Sequence, residues 1–384
     1  MRIGINALYL LPNQVGGSEV YLRNLLSAIS KIDRKNEYFI FSNIENYNTF
    51  NIKQDNFREI LCKINAVSRP KRILWEQIIL PFQIKKLKID ILFSPGFTSP
   101  FFIPCPSVVT IYDLQLKVFP EYFKKTDLIF WRIFVYISIK RATKIITLSE
   151  NTKSDIVRFY NQALDKIEVI HVGVNNNFKI NPDQNKIEEF KSRYQLPDKI
   201  ILCVSTTHPH KNYPRLLEAF SLLRMKNNIP HKLVIIGLKG FFHQELIKLI
   251  NDMDLNDHVR LFGWVPFEDV PLFYKTAELF VFPSEFEGFG IPVLEAFASG
   301  LPVVSSNAAS LPEVAGNAAL MVNPYSVSEI ADAMYRIIND KSLSSELVLR
   351  GLDRTKRFSW EEAAKKTLDC FVKAFIQAKE RETS

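Results

Sequence analysis

Two carboxylates and two glycines share one short segment of the chain. Glu287 and Glu295 are separated by seven residues, and Gly288-Phe289-Gly290-Ile291-Pro292 runs between them. Glycines at such positions let backbone approach a ligand closely, and the free N–H groups of a following helix start favour an anion. Carboxylates beside a phosphate would repel it unless they bind something neutral and rich in hydroxyls, for which ionised carboxylates are good acceptors. A sugar nucleotide meets both requirements.

The surrounding residues supply the elements that such a site needs. Residues 279–284 (Leu-Phe-Val-Phe-Pro-Ser) form an apolar run that reads as a buried parallel strand, Pro292 suits the first turn of a helix, and Gly300 stops it. The same alternation predicts strands at 1–7, 37–42, 90–94, 107–111, 144–148 and 167–171, with helices at 18–31, near 73–88, 125–142 and 151–160. Asn175-Asn176-Asn177 and the polar stretch 181–185 read as a linker. Beyond it, strands are expected at 199–204, 232–237, 258–263, 279–284, 301–306 and 319–322, and helices at 213–226, 241–251, 267–276, 291–299, near 310–315 and 326–338. A last helix over 359–379 takes Ser359 as N-cap. The expected organisation is therefore an α/β protein of two doubly wound Rossmann-like domains, 1–178, expected to bind an acceptor, and 190–358, expected to bind the sugar nucleotide, with a C-terminal segment 359–384. Ligands of two such domains facing each other belong in the cleft between the carboxyl ends of their sheets.

Lys211, in the strand-to-helix loop Ser205-Thr206-Thr207-His208-Pro209-His210-Lys211-Asn212, can reach a diphosphate and stabilise charge on a leaving group. The first strand is followed by Pro12-Asn13-Gln14-Val15-Gly16-Gly17-Ser18-Glu19, a glycine-bearing loop before a helix that Ser18 can cap. Asp252-Met253-Asp254 has the spacing of a metal-binding pair but falls where a helix ends before strand 258–263, so a turn is the better account. His208 and His210 lack further nearby ligands, and no metal is expected.

Composition narrows the classes. The chain has 384 residues, 47% hydrophobic and 23% charged, which fits two globular domains rather than a disordered chain. Met1–Ala7 reads as a first strand, too short an apolar stretch for a signal peptide, and the apolar run Leu128–Ile139 is broken by Arg132 and too short to span a bilayer. Four scattered cysteines, Cys62, Cys105, Cys203 and Cys370, suggest reduced thiols and a cytoplasmic protein. Residues 1–180 carry 25 Lys+Arg against 15 Asp+Glu, whereas residues 181–384 carry 24 against 26. Residues 117–144 interleave Lys124, Lys125, Arg132, Lys140 and Arg141 with Phe130, Trp131, Phe134 and Tyr136, the composition of a helix lying on a membrane surface or of a buried aromatic helix. No nucleic-acid recognition motif accompanies the basic charge.

Embedded as Glu-Gly-Phe-Gly-Ile-Pro-x-Leu-Glu-Ala-x-Ala-x-Gly-x-Pro-Val, the glutamate pair resembles the donor motif of the retaining glycosyltransferases of family 4, group 1, which have the GT-B fold. Arg72-Ile73-Leu74-Trp75-Glu76-Gln77 and Phe93-Ser94-Pro95-Gly96 extend the resemblance to bacterial polysaccharide mannosyl- and rhamnosyltransferases. The resemblance implies that Glu287 faces the transferred sugar, Glu295 holds the ribose, and the backbone of Gly288, Phe289, Gly290 and Ile291 faces sugar and phosphate. It places Lys211 on the diphosphate, with Ser205 where many members carry an arginine, and Gly16 and Gly17 on the diphosphate from the first domain. It puts Tyr112, followed by Asp113, where the family usually has His-Asp; a tyrosine can donate to a sugar hydroxyl but does not titrate near neutrality. It further implies a final helix crossing back onto the first domain, and transfer of a hexose without a metal, by front-side attack in which the leaving phosphate helps to take the acceptor's proton. The donor expected first is GDP-mannose, with UDP- and dTDP-sugars as alternatives, and the acceptor is an oligosaccharide or a lipid-linked saccharide reached by peripheral contact with the inner face of the cell membrane. Two rivals stay open: a sugar-nucleotide epimerase or phosphorylase on the same fold, and a non-catalytic subunit that keeps the donor pocket.

Overall fold

Short, nearly unbroken apolar strands alternate with helices along the chain, and this composition drives strands to the middle of a parallel sheet covered on both faces. A computed structural model of the chain describes residues 1–12 and 16–383. It divides into two units, one of residues 1–173 and 359–384 and the other of residues 174–358.

The first unit holds a seven-stranded parallel sheet in the order β3-β2-β1-β4-β5-β6-β7. Its strands are β1 (Arg2–Asn6), β2 (Glu37–Ser42), β3 (Phe57–Leu61), β4 (Ile91–Ser94), β5 (Ser107–Ile111), β6 (Lys144–Thr147) and β7 (Ile167–Val169). The order reverses between β1 and β4, which pair with Ile5 opposite Phe93. The helix Trp360–Thr383 belongs to this unit, where Phe371 packs 5.2 Å from Phe93 and Trp360 lies 6.1 Å from Tyr21. The Ser359 hydroxyl accepts from the Glu361 N–H at 3.2 Å, the cap expected for it.

The second unit holds six parallel strands in the order β10-β9-β8-β11-β12-β13. They are β8 (Ile200–Val204), β9 (Lys232–Ile236), β10 (Val259–Leu261), β11 (Leu279–Phe282), β12 (Val303–Ser306) and β13 (Leu320–Val322). Here the reversal falls between β8 and β11, which pair with Leu279 opposite Ile201. Both sheets thus have one place where neighbouring strands send their chains to opposite faces, the crevice in which doubly wound sheets take ligands.

Several elements differ from the sequence expectation. β3 went unread, because Phe-Arg-Glu-Ile-Leu places charge in an edge strand only partly buried. The stretch expected as a linker carries a helix, Gln184–Tyr194, capped by Asp183 and closed by Gln195 at φ 49, and its Phe190 is buried. The asparagine run belongs to the second unit, where Phe178 packs edge-on against Tyr274 at 5.6 Å. A helix at Lys341–Thr355, capped by Asp340, was not expected either. Among the described residues no helix is long and apolar enough to cross a membrane.

Candidate functional site

At the reversal in the second unit, the loops after β8 and β11 bring a cation and an anion together. The β8 loop ends in a short turn, Pro209–Lys211, closed by Asn212 at φ 63. Asparagine tolerates this left-handed conformation better than most residues. The Asn212 side chain, 1% exposed, donates from Nδ2 to the carbonyls of Pro283 at 3.0 Å and Pro324 at 2.6 Å. It therefore ties the β8 loop to the loops after β11 and β13. The Glu285 N–H adds a 2.8 Å bond to the His210 carbonyl.

With both loops fixed, Lys211 Nζ donates to Glu287 Oε1 at 2.6 Å, and the two side chains keep only 12% and 13% of their exposure. The ammonium also stands 5.5 Å from the centre of the Phe282 ring. Ser310 holds Glu287 from the other side, its hydroxyl lying 2.8 Å from the Glu287 carbonyl and 2.9 Å from that of Phe289. Gly290, at φ 109, opens the helix Ile291–Ala298; a Cβ there would stand 2.6 Å from Leu311. Only glycine satisfies both that angle and that contact. The helix start leaves backbone N–H groups suited to an anion beside the Lys211 ammonium.

Glu295 lies one turn into that helix and is buried. Burial pushes its carboxyl up to about 7, opposed by the Tyr274 hydroxyl, which donates to Oε2 at 2.9 Å. Tyr274 and Ser310 are site residues that sequence reasoning missed; each sits in a helix or turn whose pattern reads as ordinary packing or capping. His210 is held far down, at about 2, by burial first and then by Lys211 and His208, so its ring is neutral.

Other expected site residues are placed differently. Ser205 Oγ is 2.6 Å from the Tyr213 hydroxyl, which in turn donates to the Ser205 carbonyl at 3.1 Å. Its hydroxyl is thus bound inside the unit, not presented as a stand-in for the family's arginine. The Phe289 ring packs against Phe358 at 5.7 Å, and its carbonyl is the one that lies 2.9 Å from the Ser310 hydroxyl. In the first unit Tyr112 is buried, edge-on to Tyr21 at 5.3 Å and Phe97 at 5.1 Å, and its hydroxyl donates to the Pro95 carbonyl at 2.5 Å. Donation to a sugar hydroxyl, expected from the sequence, has to compete with that bond. Asp113 accepts from the Gln115 N–H at 2.9 Å as a turn cap. Gly16 adopts φ 70 and begins the helix Gly17–Ile32 without a side-chain cap, so Ser18 does not have the capping role expected of it. Among the described residues nothing stands within 4 Å of a Cβ built on Gly16 or Gly17; Asn13, Gln14 and Val15 of that loop lie outside the described residues.

Asp252 closes the helix His243–Asp252 and Asp254 adopts φ 53 in the turn before β10, as expected of a turn. Among the described residues no three His, Cys, Asp or Glu side chains cluster so as to hold a metal ion.

Comparison with known proteins decides the family. Residues 184–354 match glycosyl transferases group 1, and residues 15–178 match glycosyltransferase family 4. O-antigen chain mannosyltransferase B of Escherichia coli is 31% identical over 313 residues, covering 81% of this chain and 80% of its own. The chain belongs to the family 4, group 1 glycosyltransferases. The GT-B fold of this glycosyltransferase is shared with sucrose-phosphate synthase from Thermosynechococcus elongatus, at TM-score 0.76 and 18% identity over 98% of this chain and 100% of that one. It is likewise shared with Anabaena Alr3699/HepE, solved with UDP and glucose, at TM-score 0.75 and 18% identity over 96% and 98%.

Proposed function

We propose that this glycosyltransferase moves a hexose, mannose first, from a nucleoside diphosphate sugar to a lipid-linked saccharide in surface polysaccharide synthesis. The Lys211–Glu287 pair, fixed by Asn212 and Ser310 beside the start of helix Ile291–Ala298, carries this reading. The name of the mannosyltransferase relative supports mannose and hence GDP-mannose, with UDP- and dTDP-sugars as the other donors.

In the proposed reaction the donor's diphosphate takes up Lys211 and the amides of Gly290 and Ile291. Glu287, released from the ammonium, accepts from hydroxyls of the transferred sugar, and Glu295 accepts from the ribose. As the bond from the anomeric carbon to the phosphate oxygen breaks, the acceptor oxygen attacks the same face and its proton passes to the leaving phosphate. The configuration is retained with no covalent bond to protein. Lys211 and the helix amides supply the positive field that a cation would otherwise give.

A second proposal concerns location. The helix Lys125–Arg141 exposes Ile129, Ile133 and Tyr136, and the helix Arg69–Lys86 exposes Leu74, Ile78 and Phe82. Arg69 bridges the two through Asp127 at 3.1 Å, while Phe101, whose ring is 4.9 Å from Phe134, donates its N–H to Gln77. Exposed Lys124, Lys125, Lys140 and Arg141 lie on or beside the helix Lys125–Arg141. An apolar face edged by cations suits an anionic lipid surface, and supports peripheral attachment to the inner membrane face.

The test is nucleoside diphosphate release from a panel of GDP-, UDP- and dTDP-sugars, with and without a mannosyl acceptor, followed by NMR of the product's anomeric centre. Release from no donor favours the binding-subunit alternative, for which the internal bonds of Ser205 and Tyr112 speak, and an inverted product overturns retention.

A further inference from the structure

The helix Arg69–Lys86 turns charge inward. Arg72 and Glu76, one turn apart, are 9% and 2% exposed, whereas Leu74 and Ile78 on the same helix are exposed. Burying charge is unfavourable unless hydrogen bonds and an opposite charge compensate it, and an apolar pair of similar volume commonly packs with equal or greater stability. Packing therefore gives no reason for this arrangement.

The surroundings of Glu76 do. Thr98 Oγ1 donates to Glu76 Oε1 at 3.5 Å, and the side chain of Asn6 also bonds the carboxyl. Asn6 ends β1 and Thr98 follows β4, so the cluster sits at the strand reversal of the first sheet, the counterpart of the place occupied by Lys211 and Glu287 in the second. One donor there remains unused: among the described residues Arg72 Nε is buried and meets no hydrogen-bond partner. Burial pushes the Glu76 carboxyl up to about 7, with Arg72 opposing the shift. A guanidinium next to a carboxyl sums to little net charge, which disfavours a diphosphate and favours a neutral ligand dense in hydroxyls, each able to donate and accept.

We propose that Asn6, Arg72, Glu76 and Thr98 form the seat of a pyranose ring of the acceptor saccharide. Arg72 donates to a hydroxyl oxygen of the ring, and Glu76 accepts from a neighbouring hydroxyl. The name acceptor rests on the glycosyltransferase reading, but occupation of the seat by a sugar does not.

Saturation-transfer NMR on the full chain, with methyl α-D-mannopyranoside, α-D-glucopyranoside and α-L-rhamnopyranoside as separate probes at about 10 mM, populates a millimolar complex. At least one probe is expected to bind, and Glu76→Gln and Thr98→Val each to weaken it by about tenfold or more. Thermal melting near the parent's, and GDP affinity unchanged by calorimetry, establish that both variants are folded with an intact donor site. Absence of saturation transfer from all three probes, or equal affinity in folded Glu76→Gln and Thr98→Val, overturns the seat. A sugar complex sensitive to Glu76→Gln in a protein that turns over no sugar nucleotide keeps the seat and removes the transferase reading.

Discussion

Lys211 and Glu287, 76 residues apart in sequence, meet at 2.6 Å as a largely buried ion pair. The carboxylate therefore occupies the ammonium that a diphosphate would need. Replacing Glu287 by Gln should leave affinity for a nucleoside diphosphate equal or higher while lowering kcat, since the sugar contact is lost and the competitor of the phosphate is gone. Calorimetry with GDP beside steady-state kinetics reads both; weaker GDP binding with unchanged kcat contradicts the assignment. Lys211→Ala should weaken GDP binding by about 1–3 kcal/mol, because a charge-assisted donor is lost and Glu287 is left unpaired.

Glu295→Ala should weaken the sugar nucleotide by about 1–3 kcal/mol through loss of a buried acceptor. Tyr274→Phe removes the bond that opposes the upward shift of Glu295, and should raise that carboxyl further. Carbonyl-region infrared titration with Glu295→Gln as the blank locates it.

Glu76 and Glu295 should each make stability fall with rising pH, against the opposite trend that neutral, buried His210 imposes below about 6.5. Glu76 and Glu295 are both pushed up from the usual 4.5 to about 7 in the folded protein, so the folded state holds more protons between those values. Their favourable contribution is complete below about 4.5 and is lost as pH passes through about 7, on the order of 3 kcal/mol for each group. Urea unfolding at pH 5 and pH 8 measures this by comparison: Glu76→Gln and Glu295→Gln should each lose stability at pH 5 relative to pH 8 when set against the parent, and a variant with the parent's difference between the two pH values refutes it for that group.

Asn212→Gly keeps the left-handed backbone and deletes two buried side-chain bonds, so the variant should lose about 1–3 kcal/mol and a larger share of turnover than of stability. A variant as active as the parent would mean that the loops hold Lys211 without that amide.

Activity should survive EDTA, because the proposed field around the diphosphate comes from Lys211 and backbone amides. Loss of activity with EDTA, restored by magnesium or manganese, refutes metal independence. Replacing Lys124, Lys125, Lys140 and Arg141 by glutamine should reduce salt-sensitive sedimentation with anionic liposomes while GDP affinity stays the same. A parent that never sediments refutes the membrane face.

The strand, glycine loop and helix that carry Glu287 and Glu295 were legible because they are local, and their spacing is set by backbone rules that act within a few residues. The pairing of Lys211 with Glu287, the tie made by Asn212 and the support from Ser310 depend on loops brought together by sheet order, which no local pattern carries. The family resemblance puts Tyr112 and Ser205 at positions facing a ligand, yet their hydroxyls have a carbonyl and a tyrosine partner inside. Glu76 was read as part of a family string without a role, since inward charge on a helix is recognisable only once its inner face is known. β3 and the helix Gln184–Tyr194 were missed for composition alone: the first carries charge at a half-buried edge, and the second starts in a polar run that reads as linker.

The first unit is not continuous in the chain. Residues 359–383 follow the whole second unit, yet Phe371, Ala364 and Ala374 complete the first unit's core, and a Cβ on Gly173 would stand 2.2 Å from the Trp360 backbone. During synthesis the second unit can therefore finish before the one that began earlier, which must wait with its apolar surface uncovered until the returning helix emerges. The order of birth and the order of folding are inverted, and a ribosome stalled near residue 358 should present a folded second unit tethered to a protease-sensitive first one.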